Sequence, residues 1–483
     1  MLSKPSSRIM GGLGSPRRMI TLLIVFTSLL LVLASFDIRR LIFVVNRGYE
    51  TFQRKNARED NDYPPTYQWL TDWEEALPQH NLSLSYPEGK SGRYVKFSSE
   101  IQMLGWNNCL HERLMNSYLA YKSKRAYVFR EFKWEPEHYP WPKRKYRTSP
   151  PRTPMTALLS GPTVGGQWEE GDDAPRSVSE HYFDLVCPPS DRRVIKTGNV
   201  KSQIMSESGK QIFSTWEQLL LEAPERCIEI QPGGSSEDST PQVFDAWLWE
   251  SSGVLSLWEE FRDSPISQLL ETSPIVNAAI ARNDYLFAPK DRHALGPRNV
   301  YDRMLAIHVR RGDFNDACIR LATRSSRFYG WNQLPFLPDS FEPPRGGELG
   351  TNMGENIALY MGRCLPTFDD IVKKIRDSRN DYAKAAKDGR TTGILDTLYI
   401  LTNEHSEWLE QLKDALEGEG WTRIVTSRDL VLDAEGVDTG MVVDMDIARR
   451  AAVFIGNGWS SLTSNIVHRR LVDGRKPISI RFL

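Results

Sequence analysis

Hydrophobic and polar positions along this 483-residue chain fall into three regimes. Residues 19–36 form an uncharged apolar run, residues 46–95 show no sustained period, and beyond residue 300 short apolar runs alternate with helical patterns. The clearest strand is Met304-Leu-Ala-Ile-His-Val309, where Leu305, Ile307 and Val309 alternate with Ala306 and His308 before Arg310-Arg311-Gly312-Asp313 ends it. The pattern then predicts a helix over roughly 369–379, a strand over 396–402, an amphipathic helix over 406–416 and a strand over 423–426. A helix over 446–452 and strands over 453–455 and 477–480 follow. In the first half, Gly105-Trp-Asn-Asn108 reads as a turn. Leu110, Leu114, Tyr118 and Tyr121 then fall at helical spacing, and 124–129 reads as a strand. Helices alternating with strands predict an α/β fold with doubly wound parallel sheets, in two Rossmann-like halves facing a cleft. The halves are predicted at 96–300 and 301–483, with a Pro-, Trp- and charge-rich insert over 134–242 and a stem over 37–95.

Composition changes this picture little: 40% hydrophobic and 10% aromatic residues are ordinary for a globular chain. Its 61 basic and 62 acidic side chains leave a net charge of -1, which excludes the overall basic footprint of a nucleic-acid-binding protein. Any phosphate recognition must therefore be local. The 19–36 run is just long enough to cross a bilayer, and Lys4, Arg8, Arg17 and Arg18 precede it with no acid among them. That predicts a cytosolic tail over 1–18, a single-pass type II transmembrane signal anchor over 19–36 and a lumenal body. A cleaved signal peptide ending near Ala34-Ser35 is the rival, against which stand the length of the run and the lack of a clean small-x-small site. Anchor and stem, with no retrieval tetrapeptide over 480–483, favour the Golgi membrane over the endoplasmic reticulum.

In an oxidising lumen, Cys187 with Cys227 and Cys318 with Cys364 are candidate disulfides that would leave Cys109 as the odd thiol, although spacing does not fix the connectivity. No Cys/His cluster suggests zinc. Asn81-Leu-Ser83 is a candidate glycosylation sequon.

Three stretches carry candidate chemistry. Arg310 and Arg311 stand at a strand's C-terminal tip, where open α/β sheets bind ligands, and a guanidinium fork suits phosphate; surface ion pairs with Asp313 and Asp316 are the alternative. The Gly105–Asn108 turn at a helix N-terminus suits an anion or a sugar hydroxyl, or is an ordinary cap by Asn107 or Asn108. Over 442–465 the chain reads as helix, buried strand and a Gly456-Asn457-Gly458 turn that presents Ser460, Ser461 and Thr463 at the next helix start, suited to phosphate or to simple capping.

His308-Val-Arg-Arg-Gly-Asp-Phe314 and Phe454-Ile-Gly-Asn-Gly-Trp-Ser-Ser461, with Gly105-Trp-Asn-Asn108 in the expected order, resemble the GDP-fucose-dependent fucosyltransferases of the protein O-fucosyltransferase type. The resemblance implies a GT-B-like fold and inverting, metal-independent transfer of fucose from GDP-fucose to a hydroxyl of a protein or glycan, with no cofactor. It implies that Arg310 supports departure of the β-phosphate and that His308 and Arg311 contact the donor; Asp313 is a further donor-side candidate, whose place in the stretch suits holding the arginines. Ser460 and Ser461 would hold phosphates within a donor-binding turn that includes Asn457 and Thr463, and Asp444 would meet the guanine edge. Gly105, Asn107 and Asn108 would lie on the sugar and acceptor side. The general base stays open: His111 and Glu112 follow the asparagine loop. Leu462 departs from the aromatic residue that many relatives carry after the paired serines.

Two other readings compete. Asp444-Met-Asp446 could be the DxD pair of a metal-dependent glycosyltransferase using another nucleotide sugar. A membrane-anchored sugar-nucleotide or glycan-binding protein that has lost turnover is the non-enzyme reading.

Overall fold

Two sheets, each of five parallel strands, organise the described part of the chain. The computed structural model describes residues 63–483 apart from 101–104, 205–206, 234–239, 289–298, 313, 346–351, 353 and 388–392. The tail expected over 1–18, the anchor over 19–36 and most of the stem lie outside the described residues. Among the described residues no helix is long and apolar enough to cross a membrane.

The first sheet runs in the order Val178–Ser179, Ala126–Phe129, Tyr94–Phe97, Cys227–Gln231, Arg192–Lys196. The second runs Arg423–Thr426, Thr397–Thr402, Met304–Val309, Val453–Gly456, Ile480–Phe482. Both sheets belong to one compact unit, Tyr63–Leu483. The arginine strand, Met304–Val309, is central and buried on both faces. Leu305, Ile307 and Val309 pack with Ile371, Ile375, Leu409 and Leu412 from the helices Phe368–Lys387 and Glu407–Gly418. Met304 and Ala306 belong to the large core shared with the first sheet. Each such aliphatic side chain contributes about 1.5–3 kcal/mol on burial, so the register of this strand is strongly fixed.

The chain between residues 134 and 242 is not an insert. It supplies three of the five strands of the first sheet, Val178–Ser179, Arg192–Lys196 and Cys227–Gln231. Two of these hide from a periodicity reading because one has two residues and the other, Arg-Arg-Val-Ile-Lys, is an edge strand with charged ends. The stem expected over 37–95 also needs correction at its C-terminal end. From Gln68 the chain forms a helix, Gln68–Glu75, and Tyr67, Leu70 and Leu77 are buried in the body, with the Tyr67 hydroxyl donating to Asp438 Oδ2 at 3.1 Å. The helix expected over 446–452 starts earlier and spans Gly440–Arg450, so Asp444 and Asp446 are interior to it and do not mark its beginning.

Disulfides join Cys187 to Cys227 and Cys318 to Cys364, and Cys109 is buried outside both. Asn81 is exposed, its side chain accepting from the Ser83 amide at 2.9 Å.

Candidate functional site

Parallel pairing puts the ends of neighbouring strands side by side. Ile307 of the arginine strand pairs with Ile455, so Arg310 and the Gly456–Ser461 turn leave the sheet at adjacent C-terminal tips. Strand alternation also separates the two arginines. Arg310 is in phase with His308, on the face toward the first sheet, whereas Arg311 is in phase with Val309. Accordingly the Arg311 guanidinium lies 4.6 Å from the Trp408 ring centroid and Nη1 donates to the Pro366 carbonyl at 2.9 Å. Arg310 is exposed, with its guanidinium 5.2 Å from the Phe314 ring centroid. Asp313 lies outside the described residues.

His308 is buried, with Nδ1 3.4 Å from Thr463 Oγ1. Burial, reinforced by the nearby Arg310 cation, pushes its imidazole down to about 3, so it is neutral at ordinary pH. Thr463 belongs to the serine helix, Ser461–Val472, whose N-cap is Ser460. No side-chain cap satisfies this terminus, which leaves amides and the Ser460 and Ser461 hydroxyls available at its positive end. The glycines before it are steric requirements: a Cβ on Gly456 would meet Thr463 Cγ2 at 2.1 Å, and one on Gly458 would meet the Phe328 ring at 2.2 Å. Asn457 shapes this turn from within, since its Nδ2 donates to the Cys364 carbonyl at 2.7 Å and its Oδ1 accepts from the Trp459 amide at 3.0 Å.

From the first sheet, the helix Trp106–Lys122 begins at Gly105, with Asn107 and Asn108 in its first turn. Gly105 has no side-chain cap to offer, and neither asparagine caps this helix. Asn107 faces the serine helix: Asn465 Nδ2 donates to its carbonyl at 3.0 Å and lies 3.3 Å from its Oδ1. One turn later, His111 Nδ1 lies 2.9 Å from the same carbonyl and Nε2 lies 2.9 Å from Ser464 Oγ. A carbonyl only accepts, which assigns the proton to Nδ1 and makes Nε2 the acceptor for the Ser464 hydroxyl. The Trp331 amide donates to Ser464 as well, at 3.0 Å. Asn108 is half-buried beside this junction.

Asp444 stands on Gly440–Arg450 between two strands, accepting from the Tyr399 hydroxyl and, at 2.8 Å, from the Ser427 hydroxyl. Desolvation lifts its carboxyl to about 6 despite these bonds. Asp446 points elsewhere. It meets Arg450 at 2.6 Å, Arg449 at 3.1 Å and the Thr272 hydroxyl at 2.7 Å, and these cations hold its carboxyl below the usual range against its burial. The two carboxylates therefore do not converge as a DxD pair would have to, a consequence of two residues at 100° steps on one helix. The sequence singles out the stretch at 442–465 but gives no part to Ser464 and Asn465, which tie the two halves together. It also gives no means of finding Tyr399, Ser427 and Trp331, which reach the site only through tertiary packing.

No protein-family model matches the chain, and no curated protein matches it. Similar solved structures exist. POFUT1 in complex with GDP-fucose is 14% identical at a TM-score of 0.47, covering 81% of this chain and 98% of its own. NodZ alpha-1,6-fucosyltransferase soaked with GDP-fucose is 12% identical at 0.34, over 77% of this chain and 91% of its own. A FUT1 mutant of Arabidopsis thaliana in complex with GDP is 13% identical at 0.33, over 84% and 78%.

Proposed function

We propose that this protein is a glycosyltransferase that moves fucose from GDP-fucose to a hydroxyl acceptor, in a GT-B-like cleft between the two sheets. One observation carries the reading: motifs near residues 105, 310 and 460 meet at one place, the Arg310 tip beside the uncapped serine helix and the asparagine helix bonded to that helix through Asn107 and Asn465. Helix-terminal amides and hydroxyls suit a diphosphate, and a guanidinium at the strand tip suits the charge that grows on it as the sugar C1–O bond breaks. Arg310 takes that part, Ser460, Ser461 and Thr463 with neutral His308 form the phosphate side, and Asp444 receives the guanine edge. Gly105, Asn107 and Asn108 border the sugar. Arg311 and Asn457 shape the site without facing the diphosphate, because their polar groups serve the fold.

Inversion, metal independence and residence in the secretory lumen belong to the same reading. Two disulfides and the apolar run over 19–36 support the compartment, as a Golgi-type membrane anchor would require. A thermal-shift panel of GDP- and UDP-sugars tests the donor. A ligand at 100 times its dissociation constant adds about 2.7 kcal/mol, so GDP-fucose should raise the melting temperature clearly. A response to UDP-sugars alone would replace the donor assignment.

A further inference from the structure

Residues 326–332 of the second half lie along the turn that precedes the serine helix. Trp459 Nε1 donates to the Ser326 carbonyl at 3.2 Å, and the Phe328 ring fills the space that a side chain at Gly458 would need. The Tyr329 amide donates to the Gly458 carbonyl at 2.9 Å. Asn332 closes the contact. Its Nδ2 donates to the Gly458 carbonyl at 2.9 Å and to the Ser460 carbonyl at 3.2 Å. Carbonyls only accept, so the amide nitrogen is the end that faces them, and its two hydrogens match the two acceptors.

The fold does not need Asn332 to satisfy either carbonyl. Gly458 keeps the Tyr329 amide, and the Ser460 carbonyl also accepts from the Ser464 amide at 3.1 Å. Asn332 is 1% exposed, and its own Oδ1 is buried with no hydrogen-bond partner among the described residues. A buried unpaired carbonyl costs stability, so an apolar side chain would serve packing at least as well.

What the two bonds fix is the orientation of two peptide planes. In a trans peptide the carbonyl and the following N–H point opposite ways. With the Gly458 carbonyl turned toward Asn332, the Trp459 N–H reaches Asn457 Oδ1 at 3.0 Å. With the Ser460 carbonyl turned the same way, the Ser461 N–H points to the other side, at the helix start, where no described group accepts it. A helix-terminal anion site works only while its N–H groups face the ligand and its carbonyls face away. Rotation of the Ser460–Ser461 peptide would replace a donor with an acceptor and repel phosphate.

We propose that Asn332 is a positioning residue for the donor diphosphate: it turns the Gly458 and Ser460 carbonyls back and holds the Ser461 amide toward the phosphate. This rests on the donor reading above. Buried as it is, Asn332 acts through the two peptide planes and not by contact with the donor. Charge grows on the diphosphate as the sugar C1–O bond breaks, so a donor held in place beforehand counts for more in the transition state than in the ground state.

The test compares GDP with guanosine, which lacks the phosphates and reports only on the fold and the guanine contact. Calorimetric titrations of both ligands are run on the wild type, Asn332→Ala and Asn332→Ser, with urea unfolding of each protein. Asn332→Ala should weaken GDP about tenfold or more while guanosine stays within about twofold, with a urea midpoint near that of the wild type. Asn332→Ser keeps one donor and should fall between. In the wild type, hydrogen exchange over residues 460–463 should slow with GDP and not with guanosine. GDP affinity within about twofold of wild type in Asn332→Ala would overturn the proposal. So would an equal loss for GDP and guanosine, the mark of a merely structural role. Wild-type exchange over 460–463 that ignores GDP would overturn it too, and is readable even if the variants fail to fold. A wild type that does not bind GDP ends the donor reading and this proposal with it, whereas one that binds GDP, with an unchanged GDP-to-guanosine preference in the variants, ends the positioning role alone.

Discussion

Asn465 Nδ2 donates to the Asn107 carbonyl at 3.0 Å across 358 positions of sequence, holding the N-terminal ends of two helices, one from each half, against each other. Both helices start at the C-terminal edge of their sheets, so this bond fixes the distance between two positive helix ends. The His111–Ser464 bond one turn deeper fixes their relative rotation. The neighbouring serines thus divide their work: Ser464 builds the junction, while Ser460 and Ser461 stand at the open end.

That division predicts opposite phenotypes for two substitutions on one helix. Ser464→Ala strips the partner from the Trp331 amide and from His111 Nε2, both buried, at about 1–3 kcal/mol for each group left unpaired. Ser461→Ala removes a half-buried hydroxyl with no intramolecular bond and should stay within about 0.5 kcal/mol in stability. Its loss should show instead as weaker GDP binding. Denaturant titration and calorimetric GDP titration of both variants check the pair; a Ser461→Ala protein that is destabilised and binds GDP normally contradicts the assignment.

Adjacent arginines are predicted to behave differently because they leave the strand in opposite phases. Arg310→Ala should lose about 10²–10³-fold in turnover, in line with removal of one preorganised oxyanion donor. Arg310→Lys should recover part of this, since a lysine restores the charge without the planar fork. Arg311→Ala should act mainly on stability, through the lost contacts to Trp408 and Pro366. Steady-state GDP release and thermal unfolding of the three variants distinguish the roles. Equal turnover losses at the two positions would show that both guanidiniums face the donor.

The arginine strand was legible because five consecutive alternating positions leave one solution for a doubly buried strand. The same alternation already contained the divergence of Arg310 and Arg311, since successive side chains take opposite faces. The first sheet was harder to see. Two of its strands are a two-residue bridge and a charged edge, and neither produces a hydrophobic period, while Pro150, Pro151 and the Trp-rich loops around them suggest an insertion. Ile228 and Ile230 in Cys227–Gln231 did carry the signal, in a strand of only five residues. Ser427 and Tyr399 were beyond reach, because their closeness to Asp444 depends on how the strands Thr397–Thr402 and Arg423–Thr426 pack against one helix.

Donor affinity should weaken below pH 6 if Asp444 receives guanine. Its carboxyl sits at about 6 in the free protein, and only the ionised form accepts from both the ring N–H and the exocyclic amine. Below that value the dissociation constant for GDP should rise about tenfold per pH unit, the limit for binding that requires one proton to leave. The stability effect has the opposite sign. A carboxyl raised above its unfolded value stabilises the fold when protonated, and that contribution is lost as pH rises through 6. Asp444→Asn should therefore bind GDP weakly and without this pH dependence, while folding no less stably at pH 7.5. GDP titrations between pH 5 and 8 decide it, and an unchanged slope in the variant would move the guanine contact elsewhere.

Protonation of the buried histidines should weaken the junction between the halves, for a reason independent of any ligand. His111 and His308 are buried neutral, each pushed down to about 3, and burial lowers His468 as well. In the unfolded chain these imidazoles take up protons below about 6.5. The contribution of His111 and His308 is complete above that pH and is lost as pH falls from there toward about 3, by up to about 1.4 kcal/mol per pH unit for each. At pH 5.5, His111 and His308 together should cost about 2.5 kcal/mol relative to neutral pH. Glu74, raised to about 7 by burial, and Asp444 act the other way over the same interval and offset nearly all of this loss. The histidine share can be isolated with His111→Gln, which keeps a donor and an acceptor but cannot take up a proton. From pH 7.5 to 5.5 the urea-derived stability of that variant should change more favourably than the wild type's by about 1.4 kcal/mol in total. A wild type whose midpoint is unchanged between these pH values, with the variant identical to it, would mean that His111 is already charged or exposed at the junction.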